Sequence, residues 1–385
     1  MSASPFLALD GAVPAEGIDE GVPGHYGNPI VEQRRLERGE AIVDLSDRGV
    51  LTVTGPDRLS WLHSMASQAL DRLAPGASAE ALFLDAAGHI EHVAHVVDDG
   101  ETTWLVVEGA DAAPLAVFLD RMRFMLRVEV ADRSAEFGVV AAASVAALDA
   151  AVPASAPNDV PLDWTDPWSE PAASAHRYAP DAGHPASEWR WIERIVPRDQ
   201  LANAADAVRG GRVPVAGSLA AEALRIAAWR PRLASEVDEK TIPHELDWLR
   251  TAVDLGKGCY KGQETVAKVL NLGRPPRRLV LLHLDGSDTV LPARGDVVVG
   301  EKVRPEPAEG EEPERRPVGR ITSSAMHHEL GPVALAVVKR AVPAGLPLIV
   351  ESHGIDVAAA QVEIVPADAG AAVEVPRLPR LGIRK

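Results

Sequence analysis

Residues 257–264 read KGCYKGQE and hold Cys259, the one cysteine in 385 residues. A cysteine that merely fills a core sits among apolar neighbours; this one lies between two lysines and two glycines. The following GQETVAKVLN has helical spacing, with Gly273 placed to end it, so Cys259 falls just before or within a first helical turn. Unpaired backbone N–H groups there favour an anion. Lys257 and Lys261 add positive charge, and the three effects together predict a stabilised thiolate suited to nucleophilic or redox work. Gly258 and Gly262 remove bulk on either side, which would let a ligand approach the backbone. Gln263 and Glu264 open the helix with hydrogen-bonding groups able to orient the loop or a ligand.

The stretch GHIEHVAH places His89, Glu91, His92 and His95 close together. In a strand, alternation puts His89, Glu91 and His95 on one face and His92 on the other. Ligands spread along an extended strand do not converge on one ion, and the HExxH helical spacing is absent, so no metal site is expected. The same alternation would set His327 against His328. No GxGxxG, GxxxxGK[ST] or GxSxG occurs, which leaves nucleotide-cradle and hydrolase-elbow chemistry without local support. GRPPRR at 273–278 puts Arg274, Arg277 and Arg278 where a linker is expected, as solvated charge or as a grip on a polyanionic tail.

These residues need a scaffold, and the composition bounds it. Hydrophobic residues make up 46% and aromatics 4% of the chain, with mean hydropathy -0.03. This is a globular chain whose core is built mainly from Ala, Val and Leu, long enough for two or three domains. A net charge of -17 disfavours a nonspecific hold on nucleic acid or membrane. No basic leader or long apolar run is present, and one cysteine makes no internal disulfide, so a cytoplasmic protein is expected.

Residues 1–35 read as a Gly/Pro/Ala-rich arm. A strand over VDLSDRGVLTVTG precedes a helix over PDRLSWLHSMASQAL, whose apolar face is Leu59, Leu62, Ala66 and Leu70. Strands follow, with a hairpin at Asp99-Gly100, then a helix over APLAVFLDRMRF and strands near MLRVEVAD and EFGVVAAA. Residues 150–187 are dense in Pro, Ala and Ser and read as a loop. A second round has WRWIERIV as strand, with DQLANAADAVRG and SLAAEALRIAAW as helices. From residue 276 short strands broken by Gly and Pro predict an all-β domain to about 370, before a tail over 371–385. RPEPAEGEEPERRP interrupts that domain and is expected to be a solvated loop. The fold class is therefore α+β over 36–275, followed by a β sandwich or barrel.

KGCYKGQE resembles the signature of the YgfZ family, K-G-C-Y/F-x-G-Q-E, at every position. GPDRLSWLHSMASQ, ALFLDAAGHI, LRIAAWRPR, DEKTIPHELDWL and GRPPRRL extend the resemblance from about residue 40 to 350. It implies an aminomethyltransferase-like, folate-binding core with ferredoxin-like halves and a C-terminal β-barrel. It also implies a tetrahydrofolate-binding accessory protein for iron–sulfur cluster assembly or repair, with radical-SAM enzymes, including tRNA-modifying ones, among its clients. Cys259 would then be the reactive thiolate, with Lys257 and Lys261 as its electrostatic support, and Tyr260, Gly262, Gln263, Glu264, Arg274, Glu91 and His92 would contact the folate. The alternative is a folate-dependent one-carbon transferase. Against that alternative, Arg225-Ile226-Ala227-Ala228-Trp229 lacks the carboxylate that aminomethyltransferases use to hold the pterin, and GHIEHV replaces their acidic pair.

Overall fold

The computed structural model describes residues 3–287, 290–301 and 314–373. Two five-stranded sheets precede a closed six-stranded barrel. The first sheet runs in the order Asp163–Thr165, Ile192–Pro197, Phe137–Ala142, Ile42–Asp44, Val215–Ala216. The second runs Ser78–Leu84, Ile90–Asp98, Thr102–Val107, Gly49–Thr54, Glu129–Asp132. Its hairpin closes at Asp99-Gly100, where Gly100 takes φ +98° and Asp99 N–H donates to Thr102 O. The barrel orders Arg277–Leu284, Gly331–Lys339, Arg315–His327, Val297–Glu301, Leu348–Ser352 and Ile355–Glu363.

The largest apolar cluster binds these parts together. It takes Val43 and Ile195 from the first sheet, Val93 and Val106 from the second, Ala223 and Ile226 from helix Ser218–Ala227, and Leu279 and Val333 from the barrel. That helix packs on barrel strand Arg315–His327, so its apolar stripe is shared between core and barrel rather than spent on one sheet.

Four readings of the sequence change. Residues 3–35 are packed rather than loose. Phe6 is fully buried against the first sheet's second face, and Glu32 accepts the N–H groups of Tyr26, Asn28 and Gly217. Gly/Pro/Ala content reports a lack of regular elements, not a lack of burial. Likewise 150–187 is no mere loop: it supplies strand Asp163–Thr165, and Trp164 and Trp168 lie among the largest fully buried side chains. The helix expected from Pro56 to Leu70 spans only Arg58–Met65. Ala66 turns extended and bridges Phe83, because the edge of the second sheet accepts the chain there. The acidic RPEPAEGEEPERRP falls mostly on 302–313, outside the described residues, but its last residues open the strand Arg315–His327.

Candidate functional site: a charged central cavity and an exposed thiol loop

Between the sheets lies a partly open cavity of about 90 Å³, smaller than the roughly 300–1,000 Å³ usual for small-molecule sites. Both sheets, helix Ser218–Ala227 and the turn after it line this space. That turn is unusual: Trp229 sits at φ +59°, a left-handed position that most helices fill with glycine. Its N–H donates to Ile226 O and that of Arg230 to Arg225 O. The reversal brings Arg230 and Arg232 to the cavity wall beside Arg225.

Four arginines and six carboxylates line the cavity, and they are interlocked. Arg230 donates from Nη2 to Glu80 (2.7 Å) and from Nε to Asp166 (2.9 Å). Glu80 also accepts from Trp248 Nε1 and Thr251 Oγ1. Arg232 is bidentate on Glu108, which Arg48 reaches from the other side. Glu222 pairs with Arg225, which also donates to Glu236. Burial alone would raise Glu222, Glu108, Glu80 and Glu193, but adjacent cations more than offset it; Glu222 is held down at about 2. The site is thus ionised and fixed in place, the arrangement that recognises a polar ligand without reorganising. Three of its lining residues keep buried polar atoms with no hydrogen-bond partner: Arg48 Nε, Ser218 Oγ and Arg230 Nη1. Such orphans are rare in a finished core and mark where a ligand's hydrogen bonds would go.

The thiol loop is placed outside this cavity. Cys259 is exposed, and it lies three residues before the N-cap Gly262 of helix Gln263–Asn271, not within the first turn. The two lysines expected to serve the thiol are committed elsewhere. Lys257 is buried and donates to the carbonyls of His63, Ala66 and Gln68, and burial lowers its pKa to about 8. Lys261 pairs with Glu91 at 3.1 Å. Tyr260 is buried in the main core beneath Lys257, and Gln263 Nε2 donates to Lys257 O. Gly258 faces open space, while Gly262 at φ +85° touches the turn 85–88. The octapeptide is therefore a docked loop anchored by Lys257 and Tyr260, with Gly258, Cys259, Lys261 and Glu264 exposed.

Three comparisons with known proteins bear on this geometry. No family model matches the chain. Aminomethyltransferase T of the glycine cleavage system from Bartonella henselae superimposes with a TM-score of 0.71, covering 95% of this chain and 98% of that one at 19% identity. The fold is aminomethyltransferase-like. A chloroplastic protein of Arabidopsis thaliana, provisionally described as a transferase, is 25% identical over 286 residues. That match takes in 74% of this chain and 65% of the relative, so the chain spans just under two thirds of that protein. A heterotetrameric sarcosine oxidase from Corynebacterium aligns at a TM-score of 0.26, too low to carry an argument.

The aminomethyltransferase-like frame sharpens where the other sequence candidates fall. Glu91 is exposed and His92 pairs with Asp111 at 2.7 Å beside Phe118; neither lines the cavity. Their strand reaches it through Val93 and His95 instead. The three histidines each take a separate carboxylate: Asp85, Asp111 and Glu193. Arg277 is bound to Asp238 and Glu245, and Arg278 is buried in the barrel beside Val342 O and Gln361, so neither is a free grip for a polyanion. Arg274 is exposed. His327 and His328 do not oppose each other. The strand ends at His327, and the turn that follows sets their rings 4.6 Å apart with Glu37 beside them. Spacing missed Glu80, Glu193, Glu222 and Arg230 because they come from four separate elements. Glu222, one turn before Arg225, supplies a carboxylate to the helix that Ala227 lacks.

No helix among the described residues is long and apolar enough to cross a membrane.

Proposed function

We propose that this chain binds a reduced folate in the central cavity and serves one-carbon transfer. The observation that carries the reading is the cavity itself, lined by interlocked arginines and carboxylates, with Arg48 Nε, Ser218 Oγ and Arg230 Nη1 buried and unpartnered in an aminomethyltransferase-like fold. Its chemistry fits the group. A carboxylate such as Glu222 matches the paired N–H donors of an aminopyrimidine, and Arg48 and Arg232 match a carboxylate tail. Trp189 and Trp191, stacked at 5.3 Å, offer an aromatic wall. Tetrahydrofolate, when bound, supplies the nitrogens that carry the one-carbon unit; the chain's residues orient it and keep water out. Titration with tetrahydrofolate, followed by the fluorescence of Trp189, Trp191 and Trp248, should saturate. Glu222→Gln should weaken binding about tenfold, the worth of one charge-assisted hydrogen bond. Absence of saturable binding would remove this reading.

A second reading, an accessory factor for iron–sulfur cluster enzymes including tRNA-modifying radical-SAM enzymes, is favoured by the exposed thiol in its YgfZ-like octapeptide. Such clusters take several cysteine ligands, so Cys259 would act transiently. Complementation of a strain lacking its own family member distinguishes the two: if Cys259→Ala restores cluster-dependent activity fully, the accessory reading through this thiol fails.

A further inference from the structure

We propose that His95 is the proton donor of the central cavity and that Glu193 positions it. The inference rests on the one-carbon reading for its substrate, but the dyad stands on geometry of its own. His95 projects from strand Ile90–Asp98 of the second sheet and lines the cavity. Its Nδ1 lies 2.8 Å from Glu193 Oε2, on the facing sheet. Glu193 is fixed in turn by Trp191 Nε1 at 3.1 Å. A carboxylate held on Nδ1 fixes the ring's orientation and leaves Nε2 as the working nitrogen; Nε2 has no protein partner among the described residues. The imidazole is stacked on Trp164, with centroids 3.7 Å apart and planes within 2°. The Trp164 indole is itself anchored through Nε1 to Ala79 O. An indole face under the ring favours its cationic form.

The charged groups facing His95 pull in both directions. Burial alone would lower its pKa, but Glu193 from the first sheet and Glu80 from its own sheet outweigh burial and the opposing Arg230, so the pKa is raised. The shift favours the imidazolium, the form that general acid catalysis requires beside a ligand. In the step this supports, the Nε2–H bond breaks and its electron pair stays on Nε2. The proton goes to the donor's amine nitrogen as its C–N bond breaks, the bond's electron pair leaving with the amine while a nitrogen of the acceptor bonds to the freed carbon, and solvent later reprotonates Nε2.

The test has two arms. Histidine-labelled NMR of the ligand-free protein, with the His95 resonance assigned from His95→Gln, should give a titration midpoint above that of free imidazole, about 6.5. Glu193→Gln should lower that midpoint. In the second arm, His95→Gln should bind tetrahydrofolate within threefold of wild type yet lose at least about a hundredfold in methylene-tetrahydrofolate formation from aminomethyl donors. The alkaline limb of the pH profile should vanish with it, and in Glu193→Gln it should shift to lower pH. A midpoint at or below 6.5, or a His95→Gln variant that keeps turnover and the limb, overturns the proposal. If the wild type neither binds folate nor turns over, the one-carbon reading fails and the NMR arm alone judges the dyad.

Discussion

Gly262 shows how a signature residue can be required by packing. At φ +85° an L side chain is strained, and a Cβ there would lie 2.7 Å from Asp85 O and 3.0 Å from Gly88 Cα. Gly262→Ala should therefore cost about 1–3 kcal/mol and loosen the loop that displays Cys259. Urea unfolding would measure the loss, and faster alkylation of Cys259 would report the loosening. An unchanged midpoint would show that the loop is not locked by this contact. Local sequence exposed the oddity of Cys259 but not where its lysines go. Lys257 reaches three carbonyls of the segment 63–68, nearly two hundred residues away in the chain, and neighbouring residues carry no trace of such a contact.

At the scale of elements, helix Ser218–Ala227 is the part on which most depends. Its hydrophobic spacing announces a helix, and one forms within two residues of the expected bounds. Its polar positions are less obvious. Arg225, 8% exposed, ties Glu222 and Glu236 to Ser323 of the barrel. Arg225→Ala would leave two buried carboxylates short of a cation and should destabilise the protein by about 3–5 kcal/mol. Chemical denaturation reads this directly; a loss below 1 kcal/mol would mean that Arg232 compensates. The same helix ends in Trp229 at a left-handed φ, which costs about 1–2 kcal/mol relative to glycine. Its ring packs edge-on against His184 at 4.8 Å, a contact that offsets part of this cost. The element most at odds with its composition is 150–187, where Pro, Ala and Ser surround two tryptophans that finish the core.

For the whole molecule, several titrating groups are buried by parts distant in sequence, and acid should reveal them. His244 is fully buried at the junction with helix Gln263–Asn271, and burial holds its pKa at about 4 against 6.5 in the unfolded chain. Above pH 6.5 it is neutral in both states. As pH falls from 6.5 to about 4 only the unfolded state takes up the proton, so stability is lost over that window and no further below it. A His244→Gln variant lacks this loss. Its stability deficit relative to wild type should therefore narrow by about 3 kcal/mol between pH 7 and pH 4, read from urea unfolding at each pH. A constant gap would show that His244 is protonated in the folded state.

Local spacing specified the strands and helices with strong periodicity, the α+β class with a terminal β domain, and the octapeptide as an atypical cysteine site, while the exposure of Cys259 came from the fold. Period and turn chemistry act within a few residues, so they are written locally. The tertiary structure alone decided the central cavity. Glu80, His95, Glu193, Glu222 and Arg230 are unremarkable where they stand in the chain, and become a site only when two sheets and a helix face one another. It also decided that the lysines around Cys259 turn away to carbonyls and to Glu91, because a side chain's partner is set by what folds against it.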